Sequence, residues 1–349
     1  MRKTITSMLS IFITALAFVS TNQVNAADRV AVLEDHTGAW CGWCPRGTFI
    51  GEGLLEEHGI ENFIMLAVHN NDAMATSYQQ PLAQAIGLQG YPGGSVNRKA
   101  FSGMSNAYQG TNTWEQTSIM AMGETAPLGV DLDWELDGSG NLTATVTANV
   151  DGTHSKQLAF NLFIVEDGLT GTGQGWDQAN YLSGRAGYEN MPYYDLPNPI
   201  VGFVHDNVLI EMLGGQWGTV GEFPGSVAAG ETYSHEFSAN ISSVATNLDN
   251  VWVVAIVQEY QPSGGMEIVN AKAAGKRLVP KVKPEITSNE NVYNTMDANG
   301  MVSNQVTITN DSDYDIEVAI EIDTDGSVIP EGWSASVDPM SASIPAGGT

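Results

Sequence analysis

Cysteine occurs twice in this chain, and both copies sit in one hexapeptide, Trp40-Cys41-Gly42-Trp43-Cys44-Pro45. A disulfide between them closes only a tiny loop, so no covalent staple can tie distant segments together. Whatever folds here must be held by buried apolar cores. The C-x-x-C spacing is that of thiol–disulfide redox sites. Two other uses stay open at this point. One is an inert structural disulfide. The other is a zinc site completed by His36 with His58 or His69, although the spacing fits no ribbon or finger pattern.

The N-terminus sets the compartment. Residues 1–26 read as a secretory signal peptide: Arg2 and Lys3, an apolar core from Met8 to Val19, then the small-residue end Val24-Asn25-Ala26. The apolar run is too short to span a bilayer, and no later stretch approaches the roughly 20 apolar residues of a membrane helix. We therefore expect an exported chain, in the periplasm, the outer membrane or at the cell surface. The full sequence carries 13 basic and 40 acidic residues. Such a surface repels nucleic acid and anionic lipid, so neither is an expected partner.

A length of 349 residues leaves room for two or three domains. From Ala27 to Ala126, strand-like and helix-like patterns alternate. Arg29 to Glu34 is β-like, with Val30 to Leu33 apolar. Pro45 fits the first turn of a helix running to His58, with Gly59 as its stop. Phe63 to Val68 is a continuous apolar run suited to a strand covered on both faces. Further helices are expected at Pro81–Ile86 and Thr113–Met122, and a strand at Ser95–Lys99. This alternation predicts an α/β domain over residues 27–126.

The stretch Val32-Leu33-Glu34-Asp35, followed by Trp40-Cys41-Gly42-Trp43-Cys44-Pro45, resembles the first core strand and active-site helix of the thioredoxin superfamily. Gly87-Leu88-Gln89-Gly90-Tyr91-Pro92 resembles that family's cis-proline loop. The resemblance covers about 100 residues. It implies a cis Pro92 against the cysteines, and a buried acid, Asp35, assisting proton transfer. A solvated or salt-bridged carboxylate is the other reading of Asp35. Cys41, ahead of the helix, is the expected exposed nucleophile, and Cys44 the resolving thiol. Trp40, Trp43 and Tyr91 are the expected substrate contacts. The Gly-Trp pair between the cysteines departs from the family.

After Ala126 the apolar period becomes two. Leu128 to Leu136 and Leu142 to Val150 alternate around Asp137-Gly138-Ser139-Gly140, which reads as a β-hairpin. Further strands are expected at Leu158–Glu166, Phe203–Leu213, Thr232–Phe237, Val251–Tyr260 and Glu267–Ala271. Together they predict an antiparallel β-sandwich over residues 127–280. Between them, the long Asp167–Pro199 connection is rich in Gly, Trp176 and tyrosines, among them Tyr181, Tyr188, Tyr193 and Tyr194. It reads either as a recognition loop or as a flap packed on a neighbouring core. Lys272 to Pro284 holds five basic residues and marks a boundary. Residues 281–349 read as an immunoglobulin-like β-module, short for its class, so we expect the chain to continue beyond residue 349. The acids Asp311, Asp313 and Asp315 lack the glycine and distal glutamate of a calcium loop.

The expected fold class is thus multidomain: an α/β thioredoxin-like domain, an all-β sandwich and a C-terminal immunoglobulin-like module. The order of the first two resembles a bacterial outer-membrane-associated protein family, over residues up to about 280. Two functions follow. The first is a thiol–disulfide oxidoreductase that uses Cys41 and Cys44 on protein thiols and disulfides of the envelope, without cofactor or metal. The second is a surface adhesin or binding protein in which the cysteine pair is structural. Hydrolase chemistry has no support, since no G-x-S-x-G occurs and the six histidines form no ligand pattern.

Overall fold

The computed structural model describes residues 27–276, and beyond them 282–286, 306–310, 316–319, 341–345 and 348. The expected signal peptide lies outside the described residues, as do Asp311, Asp313 and Asp315. The chain divides after Lys276 into two compact units.

In the first unit the elements run β1 (Ala27–Asp28), β2 (Ala31–Thr37), α1 (Cys44–His58), β3 (Phe63–His69), α2 (Gln79–Ile86), β4 (Gly93–Val96), β5 (Gln109–Gly110), α3 (Trp114–Met122) and β6 (Thr125–Ala126). They continue as β7 (Leu128–Leu136), β8 (Asn141–Val150), β9 (Leu158–Glu166), β10 (Val208–Met212), β11 (Thr232–Asn240), β12 (Val251–Glu259) and β13 (Ile268–Ala274). Helix α1 starts where Pro45 needs no N–H partner. It stops at Gly59, whose φ of 74° few side chains tolerate and whose N–H closes on Leu55 O.

One eight-stranded sheet carries the unit, in the order β13-β12-β9-β10-β3-β2-β4-β5. Strand β3 lies parallel to both β2 and β10, and the other pairings are antiparallel. A second sheet, β11-β8-β7, lies over part of it. The sequence predicts a sandwich of its own after residue 126. Instead, four of its expected strands extend the sheet begun by β2 and β3, so that sheet crosses the expected boundary. The physical reason is burial. Strands β9 and β12 are buried at every position, so they need cover on both faces and serve as central strands.

The two faces use alternate residues. On one, Ala31, Leu33, Phe63 and Met65 pack under α1 and α3 with Leu54 and Trp114. Farther along, Phe160, Leu162, Val253 and Ala255 pack against Val146 and Phe237 of the second sheet. On the other face, Val32, Ile64 and Leu66 share a core with Phe163, Val165, Trp252 and Leu82. Beneath β2, Arg98 makes a bidentate, fully buried pair with Glu34, Nε to Oε2 at 2.8 Å and Nη2 to Oε1 at 2.6 Å.

In the second unit, β14 (Val282–Ile286) pairs antiparallel with β15 (Val306–Asn310), and β16 (Ile316–Ala319) with β17 (Ser341–Ile344). The rest of the expected immunoglobulin-like module lies outside the described residues.

Candidate functional site

Strand β2 ends at Thr37 and α1 begins at Cys44, so the cysteines hang on a short loop at the carboxyl end of a buried strand. Cys41 and Cys44 form a disulfide. The loop is closed internally by Cys41 N–H to Gly38 O at 2.9 Å and Cys44 N–H to Cys41 O at 3.1 Å. Asp72 anchors its start. One carboxylate oxygen accepts from Ala39 N–H at 2.8 Å and from His69 Nδ1 at 2.7 Å, and the other from Met74 N–H.

Asp35, Gly47 and Pro92 come together at the start of α1, the helix that Cys44 opens. The Tyr91–Pro92 bond is cis. A Cβ on Gly47 would sit 2.8 Å from Pro92 Cβ and 3.1 Å from Asp35 Oδ2, so only glycine lets the helix lie this close. Neither oxygen of Asp35 has a hydrogen-bond partner, and burial raises its pKa to about 8. Burial also lowers neighbouring His36 to about 4, opposed by Glu34 and assisted by Arg98. The expected contact residues divide. Trp40 is 46% exposed, edge-on to Tyr91 at 5.2 Å, with its indole N–H on Asn70 O. The Tyr91 hydroxyl accepts from Gln79 Nε2. Trp43 faces the other way, half-buried among Tyr181, Tyr188 and the Arg185 guanidinium.

The sequence predicts Cys41 on the exposed side of the helix start. In the structure it is only 5% exposed and Cys44 1%. The cause is the segment between β9 and β10, residues 168–207, here termed the strap. Its ends are pinned to each other: Gly168 N–H on Asp206 Oδ1, Asn207 N–H on Asp167 Oδ1, and a two-way backbone pair between Leu169 and His205. A second such pair joins Gln178 to Ile200. Between these ties the strap crosses the cysteine loop. Ala179 N–H donates to Ala39 O at 2.7 Å, Tyr181 N–H to Gly42 O at 2.7 Å, and the Gln178 amide to Cys41 O at 2.9 Å. The Tyr181 ring lies flat on Gly42, occupying the place a Cβ would take. Trp176 joins Ala39, Met74 and Leu169 in a small apolar cluster, and its carbonyl meets His205 Nε2 at 2.9 Å. Burial lowers His205 to about 4.

The sequence signalled the strap as a glycine- and tyrosine-rich connection, but Gln178 and Ala179 carry no local signal. The nearest hint is Gly42, a glycine between cysteines that has no left-handed φ to explain it. Among the described residues, no group of three or more His, Cys, Asp or Glu side chains is placed to hold a metal ion.

A family model described as outer membrane protein Omp28 matches residues 79–277. The matched stretch contains the whole strap and β9 to β13, and the cysteine loop precedes it. None of the curated proteins matches. Among solved structures, HBP35 of Porphyromonas gingivalis is similar, with 19% identity, a TM-score of 0.54, and coverage of 84% of this chain and 88% of that one. At that identity the likeness is one of fold.

Proposed function

From the premise that this chain belongs to the Omp28 outer membrane protein family, we propose that it acts at the cell surface as a binding protein, with Cys41–Cys44 as a sealed structural disulfide. The family gives the location: exported, at the outer membrane or cell surface. Among the described residues no helix is long and apolar enough to cross a membrane. The observation that carries the binding reading is the strap. A nucleophilic cysteine must be reached by a partner's disulfide, and here hydrogen bonds and a tyrosine ring close the approach. Outside that seal the molecule offers Trp40, Val201 and Val204, each at least 46% exposed. Aromatic and aliphatic anchors of this kind suit protein or glycan contact.

A second reading, thiol–disulfide exchange on envelope proteins, draws on Asp35. A buried, unpartnered carboxyl beside Pro92 and the first turn of α1 is the arrangement that the thioredoxin resemblance of residues 27–126 implies for proton transfer. One assay separates the two. The intact protein is offered a small-molecule disulfide and a protein disulfide. On the binding reading it exchanges no faster than an unstructured Cys-Gly-Trp-Cys peptide. Exchange well above that peptide overturns it in favour of the oxidoreductase.

A further inference from the structure

Three observations converge on the strap. First, three of its hydrogen bonds to the body fall on the carbonyls of Ala39, Cys41 and Gly42, inside or beside the ring that the disulfide closes. Second, Gln178, which supplies the Cys41 contact, is 4% exposed, and its amide is shared with Ala179 O at 3.0 Å, so it has no alternative partner in water while the strap is down. Third, away from its ties at Ala73, Trp43, Met74 and His69, much of the strap lies in solvent. Residues 183–187 and 195–199 are exposed, and few of its apolar side chains are buried, chiefly Leu169, Leu182 and Ile200. A segment of that kind opens at a small fraction of the free energy of global unfolding.

We propose that the strap and the Cys41–Cys44 disulfide form one linked switch. With the strap closed, the sulfurs are shielded from thiols. With the disulfide reduced, the loop that seats the strap loses its constraint and the strap is released. This rests on the reading above that the closed, oxidised form is the resting state. The chemistry requires a dithiol reductant. Its thiolate attacks Cys41 Sγ, the S–S bond breaks, and Cys44 leaves as a thiolate that takes up a proton. The reductant's second thiolate then attacks the mixed disulfide. Two electrons pass to the protein, giving two thiols, and the reductant departs as a disulfide. Linkage makes the coupling reciprocal: whatever factor strap closure takes from reducibility, reduction takes from strap closure.

The test uses the intact chain and dithiothreitol. Reduction is followed by alkylation and mass measurement in wild type, Gln178→Ala and Tyr181→Ala. Gln178→Ala loses one net hydrogen bond, worth about 1 kcal/mol, which raises the open population and hence the reduction rate by about fivefold, and Tyr181→Ala, which loses the ring cover over Gly42, raises it likewise. Hydrogen exchange over residues 171–203 is measured in oxidised and reduced wild type, and it rises on reduction. Unchanged reduction rates in folded variants overturn the proposal, as does equal strap exchange in both redox states. If both variants misfold, the wild-type exchange comparison decides alone. Failure here differs from failure of the binding reading, which shows as rapid disulfide exchange by wild type itself.

Discussion

Gly42 shows how much a single missing methyl group can hold in place. Its carbonyl receives the Tyr181 amide and its Cα lies under the Tyr181 ring. Gly42→Val puts three carbons into that ring, so Tyr181 must lift. We expect a loss of about 1–3 kcal/mol in denaturant unfolding, with new proteolytic cuts between residues 183 and 190. An unchanged midpoint and cleavage pattern would contradict the contact. Asp35 makes a prediction with a sign. Its pKa is about 8 in the fold, against 3.8 in an unfolded chain. Its burial is therefore harmless below pH 4 and costs progressively more as pH rises to 8. Asp35→Asn should raise Tm relative to wild type at pH 9 much more than at pH 4, the difference amounting to a few kcal/mol. A pH-independent offset would show that the carboxyl is not held neutral. At this scale the cysteine pair, the helix start at Pro45, its stop at Gly59 and the cis bond before Pro92 were legible, because each is written in neighbouring residues. Gln178 was not, since it lies 137 residues from the carbonyl it serves.

Among elements, the strands marked by clear alternation, β7 and β8, bury one face, while the unbroken apolar runs of β9 and β12 bury both. Leu158–Glu166 was legible as a strand residue for residue, yet its neighbours were not. Periodicity tells how many faces are covered but never by what. Phe163 belongs to the core shared with Val32 and Ile64, whereas Phe160 belongs to the core shared with the second sheet. Phe163→Ala should therefore cost about 3–5 kcal/mol in chemical unfolding. Val201→Ala on the exposed strap should stay within about 0.5 kcal/mol. Similar losses at both positions would mean that β9 is not the central strand described.

Across the whole first unit, the sheet decides what can fold alone. The core under Val32, Ile64 and Leu66 is completed by Phe163, Val165 and Trp252, which arrive more than 90 residues later in the chain. Residues 27–126 expressed alone should lack native-like dispersion in NMR and bind hydrophobic dyes, while residues 27–276 unfold in one cooperative transition. A well-dispersed spectrum from the short fragment would refute the shared core. The boundary marked at Lys272–Pro284 falls where the chain divides, after Lys276, but the organisation within the first unit was illegible: each half has a plausible pattern of its own, and only the strand order reveals that they share one sheet.

The strand order also sets a timetable. An exported chain emerges from its N-terminus, so Cys41 and Cys44 appear together and early, three positions apart. The strap joins β9 to β10, which pair with each other, and β9 pairs in turn with β12, about 90 residues later in the chain. Local encounters of this kind outrun long-range ones by orders of magnitude. We expect the sulfurs to be oxidised while the site is still open, so that the strap shuts over a bond already made. In a pulse-chase experiment the cysteines should become resistant to alkylation before residues 183–190 become resistant to protease. The lock is turned first and the door closes afterwards, so a chain that misses oxidation during export is left with its strap open over two free thiols.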